Sequence, residues 1–201
     1  EELKQFASIV SHDLKEPLRK ISYASESLKK SLGKKLTASE NQNIEKIEHT
    51  ANRMNSLIQD ILSYSKVTTL INRFEKINLN DVVKDVLSDL EVRVNDTGAV
   101  VNVSELPLLD SDKTLMMQLF QNLIGNALKF HKPNETPVIN ISGKKINDNY
   151  WELEIQDNGI GFDEKYLDRI FNPFQRLHGG DKFEGNGMGT AICLKIVERH
   201  G

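Results

Sequence analysis

Cysteine is almost absent: the 201 residues hold one, Cys193. That excludes an internal disulfide and a cysteine-rich zinc site. The thiol falls in the apolar stretch AICLKIV, so it reads as a buried, reduced side chain, which suits a cytosolic setting. No apolar run approaches the roughly 20 residues that a membrane-spanning helix needs. No signal peptide is visible either, so any membrane anchor is expected outside this chain. Basic runs are missing as well, and the formal net charge is −3. Both points argue against nucleic acid as the main partner. There is no internal repeat and no low-complexity tract. What remains is an ordinary globular balance, 38% hydrophobic and 27% charged, of a length that suits one large domain or two small ones.

The first third has the rhythm of helix. Apolar residues recur at Leu3, Phe6, Val10, Leu14, Leu18, Ile21, Leu28 and Leu32, a heptad-like seam that Gly33 ends. After the polar turn GKKLT, Thr37 or Ser39 can cap a second helix. Its seam runs through Ile44, Ile47, Ala51, Met54, Ile58, Ile61 and Ser65. Two such helices make a hairpin, and a hairpin alone has little core. Two hairpins packed as a four-helix bundle would bury both seams, which predicts a homodimer.

Residues Val67–Arg73 carry no pattern and read as a linker. Beyond it the rhythm is mixed. FEKINL reads as a short strand, and Asn80 or Asp81 opens a helix carrying Val82, Val83, Val86, Leu87, Leu90 and Val94. AVVNVS alternates and is β-branched, so it reads as a strand. Asp110 or Ser111 caps the long helix TLMMQLFQNLIGNALKF. PVINISGKKI and YWELEIQD are strands joined at Asn147–Asn149, and TAICLKIVERH is the last helix. Strands and helices in this order predict an α/β sandwich, one helical layer on a mixed sheet.

Several residues carry chemistry. With Val10 and Leu14 facing the seam, His12 points away from it, toward Ser8, Ile9, Lys15 and Glu16. An exposed neutral imidazole can attack phosphorus, and the adjacent Asp13 can orient it or accept its proton. Standing alone, an exposed histidine is usually only a surface residue. Pro17 sits inside the helical pattern and invites a kink one turn later. Asn122, Asn126 and Lys129 share one helix face. Amide oxygens suit a hard cation such as Mg²⁺, and a lysine suits phosphate; standing alone, the stretch would read as a solvated helix face. In DNGIGF, Asp157 ends a strand, while Gly159 and Gly161 permit close backbone approach. In GNGMGTA, Gly185, Gly187 and Gly189 precede a helix N-terminus, a favourable end for phosphate. The loop lacks the GK[ST] ending of a Walker loop and follows no strand as a Rossmann fingerprint would.

SHDLKEPLRKI resembles the H-box of sensor histidine kinases, a His followed by an acidic residue and, five positions on, a Pro. The order of an asparagine helix, DNGIGF, IFNPFQR and a glycine loop before a helix resembles the ATP-binding domain of the same family. Those domains are Bergerat-fold ATPases, alongside gyrase B, a mismatch-repair ATPase and a heat-shock chaperone. The resemblance implies residues 1–66 as a dimerisation and phosphoacceptor hairpin, 67–73 as linker and 74–201 as ATP-binding domain, with the family's two further strands lying beyond Gly201. It implies His12 as phosphoacceptor and Asp13 as polarising base. It further implies Asn126 on Mg²⁺, Asn122 lining the phosphate site, Lys129 on phosphate and Phe130 beside the nucleotide. Asp157 would accept from the adenine amino group, Gly159 and Gly161 would shape that wall, and Gly185, Gly187 and Gly189 would cradle phosphates. Phe171 and Phe174 resemble the family's phenylalanine box, and Leu177–Gly187 would form a lid that orders around nucleotide.

Three positions depart from the family pattern. Glu16 stands where many members have Thr or Asn, so dephosphorylation of the partner is not implied. Met188 and Thr190 stand where leucine-type residues are usual, and the Thr190 hydroxyl could reach the phosphates or weaken the packing of the helix start. The implied activity is ATP-dependent autophosphorylation of His12, then phosphoryl transfer to an aspartate of a response-regulator receiver domain, under an upstream sensor domain outside this chain. The alternatives are a degenerate kinase acting as a dimerising scaffold and another Bergerat-fold ATPase.

Overall fold

The computed structural model describes the backbone of residues 2–69, 74–177, 183 and 185–201, and their side chains apart from 2–10, 12, 34, 68 and 69. The chain divides into two compact units, Glu1–Thr69 and Leu70–Gly201.

The first unit is a helical hairpin of α1 (Glu2–Leu32) and α2 (Ala38–Thr69). α1 continues through Pro17. A 3-10 turn at Gly33–Lys35, with Gly33 at φ +45, reverses the chain. The cap of α2 is Thr37, one of the two candidates. Its Oγ1 accepts from the Glu40 N–H at 3.3 Å, while Glu40 Oε2 accepts from the Thr37 N–H at 2.8 Å. That reciprocal pair satisfies two helix-end donors. Inside the hairpin the buried positions recur at sevens: Ser11, Leu18 and Ser25 on α1, and Ile44, Ala51, Ile58 and Ser65 on α2. Leu18, Ala51, Ile58 and Leu62 form its core, and Lys29 pairs with Glu48 across the helices at 3.1 Å.

The seam is therefore split. Leu14, expected to face the core, is 43% exposed, and Ile21, Leu28, Ile47, Met54 and Ile61 lie open with it. These residues sit three positions after the buried set on each helix. One hairpin can bury only one edge of a seam this wide, and the other edge is left for a second pair of helices. The seam residues Leu3, Phe6 and Val10 lie outside the described side chains.

In the second unit β1 (Glu75–Asn78) pairs antiparallel with β3 (Leu108–Ser111). Between them run α3 (Leu79–Asp89), α4 (Glu91–Thr97) and β2 (Val100–Val103). The sequence reading missed β3 and joined α3 to α4. The helix cap is Asn78, not Asn80 or Asp81: its Oδ1 accepts from the Asn80 N–H at 2.9 Å. A second sheet has the order β2, β4 (Val138–Lys145), β5 (Trp151–Asp157), with β2 parallel and β5 antiparallel to β4. This is the expected mixed sheet.

The helix α5 (Lys113–Lys129) lies between α3 and α7 (Gly189–His200). α5 is capped by Asp112, not Asp110 or Ser111. Asp112 Oδ1 accepts from the Thr114 and Leu115 N–H groups at 2.9 and 3.2 Å. The core holds Phe120 and Ile124 of α5, Val82 and Val86 of α3, Ile192 and Ile196 of α7, and Ile139 and Ile141 on the inner face of the sheet. Each such side chain contributes roughly 1.5–3 kcal/mol by its burial. This packing fixes the rotation of α5 and turns its polar edge toward the loops after β5. There a 3-10 turn (Glu164–Tyr166) leads into the short α6 (Leu167–Ile170).

Candidate functional site

α5 presents Asn122, Asn126 and Lys129 along one edge, as the spacing predicts. The glycine loop approaches that edge. A Cβ on Gly189 would lie 3.5 Å from Asn122 Oδ1 and 3.9 Å from Asn126 Nδ2, and one on Gly185 only 2.8 Å from Lys129 Nζ. Two segments some sixty residues apart in sequence thus meet, carrying backbone amides, two carboxamides and a cation. Among the described residues the buried Asn122 Nδ2 has only the Cys193 thiol, a weak acceptor, against it. A buried donor so poorly satisfied is costly, and a ligand oxygen would be welcome there. Beside it the Cys193 thiol is pushed up to about 12 by burial, against which the Asn122 amide acts weakly. The thiol is accordingly neutral and unreactive.

The loop is held from behind. Gly187 has φ +71, and a Cβ there would fall 2.4 Å from the Gln175 carbonyl oxygen. Only glycine fits so close to that backbone. The preceding Phe174 is itself left-handed, at φ +64, a conformation that turns the chain back toward the loop. Gly185 is at φ +138. The Thr190 hydroxyl donates to the Ile170 carbonyl. It ties α7 to the end of α6. Met188 is buried at 2% exposure.

The opposite wall is built at the end of β5. Asp157 Oδ1 accepts from the Gly159 N–H at 2.8 Å, and the Ile160 N–H donates to the Phe130 carbonyl at 2.9 Å. A Cβ on Gly159 would be 2.6 Å from both oxygens, so this turn needs glycine. Gly161 is at φ +61 with open space beside it. Asn158, between Asp157 and Gly159, carries no sequence signal of its own. Its Oδ1 accepts from the Val138 N–H at 2.9 Å and its Nδ2 donates to the Thr136 carbonyl at 3.0 Å, locking the turn to the start of β4. Phe130 joins the two walls. Its carbonyl meets the turn, and Lys129 Nζ stands 4.2 Å from the centroid of its ring.

On the hairpin, position 12 follows the buried Ser11, and Asp13 is exposed. The side chain of His12 lies outside the described residues, as do residues 178–182 and 184 of the expected lid and 70–73 of the expected linker. α2 itself extends to Thr69. Glu16 pairs with Lys20 at 2.7 Å. Phe171 and Phe174 are 41% and 54% exposed.

Two known families match in this order along the chain. His Kinase A (phospho-acceptor) domain matches residues 2–70, and the histidine kinase-, DNA gyrase B- and HSP90-like ATPase matches residues 111–201. The chain is 41% identical over 99% of its length to cyanobacterial phytochrome A of Nostoc sp., of which it covers 26%. It is 28% identical over 99% of its length to the sensor protein kinase WalK of Staphylococcus aureus, of which it covers 49%. The full-length ShkA crystal structure in complex with AMPPNP matches 97% of the chain with a TM-score of 0.72 at 21% identity, the chain covering 41% of ShkA. That last likeness concerns the fold alone. The chain thus spans about a quarter of the length of the phytochrome it matches. A phosphoacceptor domain followed by a histidine kinase-like ATPase domain defines one class, and this chain belongs to it: it is a sensor histidine kinase catalytic core. Its second unit is an ATP-binding domain, and its hairpin is of the type that supports homodimers. Among the described residues no helix is long and apolar enough to cross a membrane.

Proposed function

We propose that this chain phosphorylates itself on His12 with ATP and then hands the phosphoryl group to an aspartate of a response-regulator receiver domain. The observation that carries the reading is the convergence of Asn122, Asn126 and Lys129 with the Gly185–Gly189 loop, in a chain whose phosphoacceptor domain comes first. ATP would sit with its adenine amino group toward Asp157, its base against the Gly159–Gly161 wall and its phosphates toward Lys129 and the N-terminus of α7. Loop N–H groups and a lysine offset phosphate charge, and phosphoryl transfer depends mainly on such positioning and neutralisation.

The residues fit a hard cation. Mg²⁺ takes oxygen ligands and leans on the nucleotide's phosphates and water, and Asn126, with Asn122 beside it, offers amide oxygen at the phosphate end. Bound there, Mg²⁺ would supply charge neutralisation. In the transfer the His12 imidazole nitrogen forms a bond to the γ-phosphorus, the bond from that phosphorus to the β,γ-bridging oxygen breaks, and ADP leaves. Asp13 steadies the neutral imidazole and takes up its single N–H proton, which sits on the ring nitrogen that does not attack. The expected hairpin limit at 66 moves to the end of α2 at Thr69; the proposed order is then that hairpin, a joint up to residue 73 and the ATP unit at 74–201, with the open stripe of the hairpin closed by a second copy and the signal arriving from a sensor segment outside this chain. The setting is the cytoplasm, where ATP is supplied.

Incubation with γ-labelled ATP and Mg²⁺ tests this. Wild type should acquire an acid-labile, alkali-stable label, and His12→Gln should lose it while keeping its affinity for ATP. Steady hydrolysis without labelled protein would sink the reading.

A further inference from the structure

Phe183 lies in the stretch before the glycine loop, and no role is assigned to its side chain. Its ring meets the Phe130 ring with centroids 4.9 Å apart and planes at 56°, a tilted geometry in which the edge of one ring favours the face of the other. Its carbonyl accepts from the Arg176 guanidinium, which anchors the backbone at that point. Two residues later Gly185 passes so near Lys129 that a Cβ would stand 2.8 Å from the ammonium. Phe130 in turn carries Lys129 4.2 Å from its ring centroid and gives its carbonyl to the turn after Asp157.

The contacts therefore form one chain, from Arg176 through Phe183 to Phe130, and from Phe130 to both the phosphate-side lysine and the adenine-side turn. We infer that Phe183 is a positioning residue for nucleotide: its ring holds Phe130, and through it Lys129, in the arrangement that receives ATP. This rests on the ATP-dependent kinase reading above and deepens it. Phe183 itself need not touch the reacting atoms. Its loss should be felt in binding, because a disordered platform must be re-ordered each time nucleotide arrives. The chemical step, once ATP is seated, should be nearly spared.

Phe183→Ala and Phe183→Tyr, in the full chain, separate the possibilities. Phe183→Ala should raise the KM for ATP, and the Kd for a fluorescent ATP analogue, by about three- to tenfold, the range an aromatic pair is worth, with kcat falling less than about threefold. Phe183→Tyr keeps ring and edge and should restore both constants. An unchanged KM in Phe183→Ala, or a loss of kcat at unchanged KM, overturns the inference, as does a Phe183→Tyr variant that behaves like Phe183→Ala. A wild-type chain that neither binds the analogue nor labels would instead defeat the kinase reading itself, so the two failures are told apart.

Discussion

At the scale of single residues, the site depends on positions where a side chain cannot be added. Gly187 combines φ +71 with a Cβ position 2.4 Å from the Gln175 carbonyl oxygen. Gly187→Ala must push the loop off the Phe174–Gln175 backbone, so nucleotide affinity should drop at least about tenfold, at a cost of more than roughly 1 kcal/mol for the strained conformation. Equilibrium binding of an ATP analogue, beside a melting curve, checks this. Unchanged affinity would mean the loop does not need its observed shape.

Cys193 supports a second residue-scale prediction. Its folded-state pKa of about 12 lies above the ordinary 9.0. Raised by burial, it favours the protonated thiol in the native state, so the native state holds a proton that the unfolded chain releases above about pH 9. The associated stability is fully present below pH 9 and is lost as pH rises toward 12. At neutral pH a thiol reagent should modify Cys193 only as fast as the second unit opens. The sequence reading anticipated this residue well, because an apolar run around a lone cysteine says burial directly. It could not foresee Thr190, whose hydroxyl is spent on the Ile170 carbonyl, since that partner comes close only through folding.

Among the elements, α1 and α2 give the clearest case of a correct pattern that hides a division of labour. The heptads were plain in the sequence. What they did not tell is that Ser11, Leu18 and Ser25 close the hairpin while Leu14, Ile21 and Leu28 stay open, because spacing alone does not say which edge meets which neighbour. The open edge on α2, through Ile47, Met54 and Ile61, yields a test. Met54→Glu places a charge in the stripe without touching the Leu18–Ala51–Ile58 core. It should convert a dimer to a monomer by light scattering and lower the melting temperature of the helical hairpin, since a buried unpaired charge is costly. A dimer that survives Met54→Glu would show that the stripe is not the interface.

The caps carry the same lesson. Asp110 and Ser111 are reasonable N-cap types, yet both belong to β3, and the cap falls to Asp112. Propensity places a cap to within a residue or two, and strand pairing with β1 decides between neighbours. β3 itself was invisible because LLDS is too short to show alternation. The edge of α5, by contrast, was legible in full, because Asn122, Asn126 and Lys129 need only helical periodicity to align.

For the whole molecule the consequence is two units with different dependencies. The hairpin's open stripe makes its stability depend on a second copy, and so on protein concentration. The ATP unit has its own core around Phe120 and Ile124, and its stability should depend on nucleotide. One probe separates them: Trp151, the single tryptophan, stands on β5 of the second unit. Heating should then give a tryptophan transition that ATP with Mg²⁺ raises, while the helical circular dichroism also contains a hairpin transition that dilution lowers. Ligand at a hundred times its Kd stabilises the folded form by about 2.7 kcal/mol, which for a unit of this size is a shift on the order of 10 °C in Tm. Dilution should leave the tryptophan transition where it is, and ATP should leave the hairpin transition where it is. If ATP raised both transitions together, the units would be melting as one, and nucleotide binding would be coupled to the dimer rather than confined to the domain that holds Asn126 and Lys129. If ATP raised neither, the glycine loop and the asparagine edge would be a fold without its ligand.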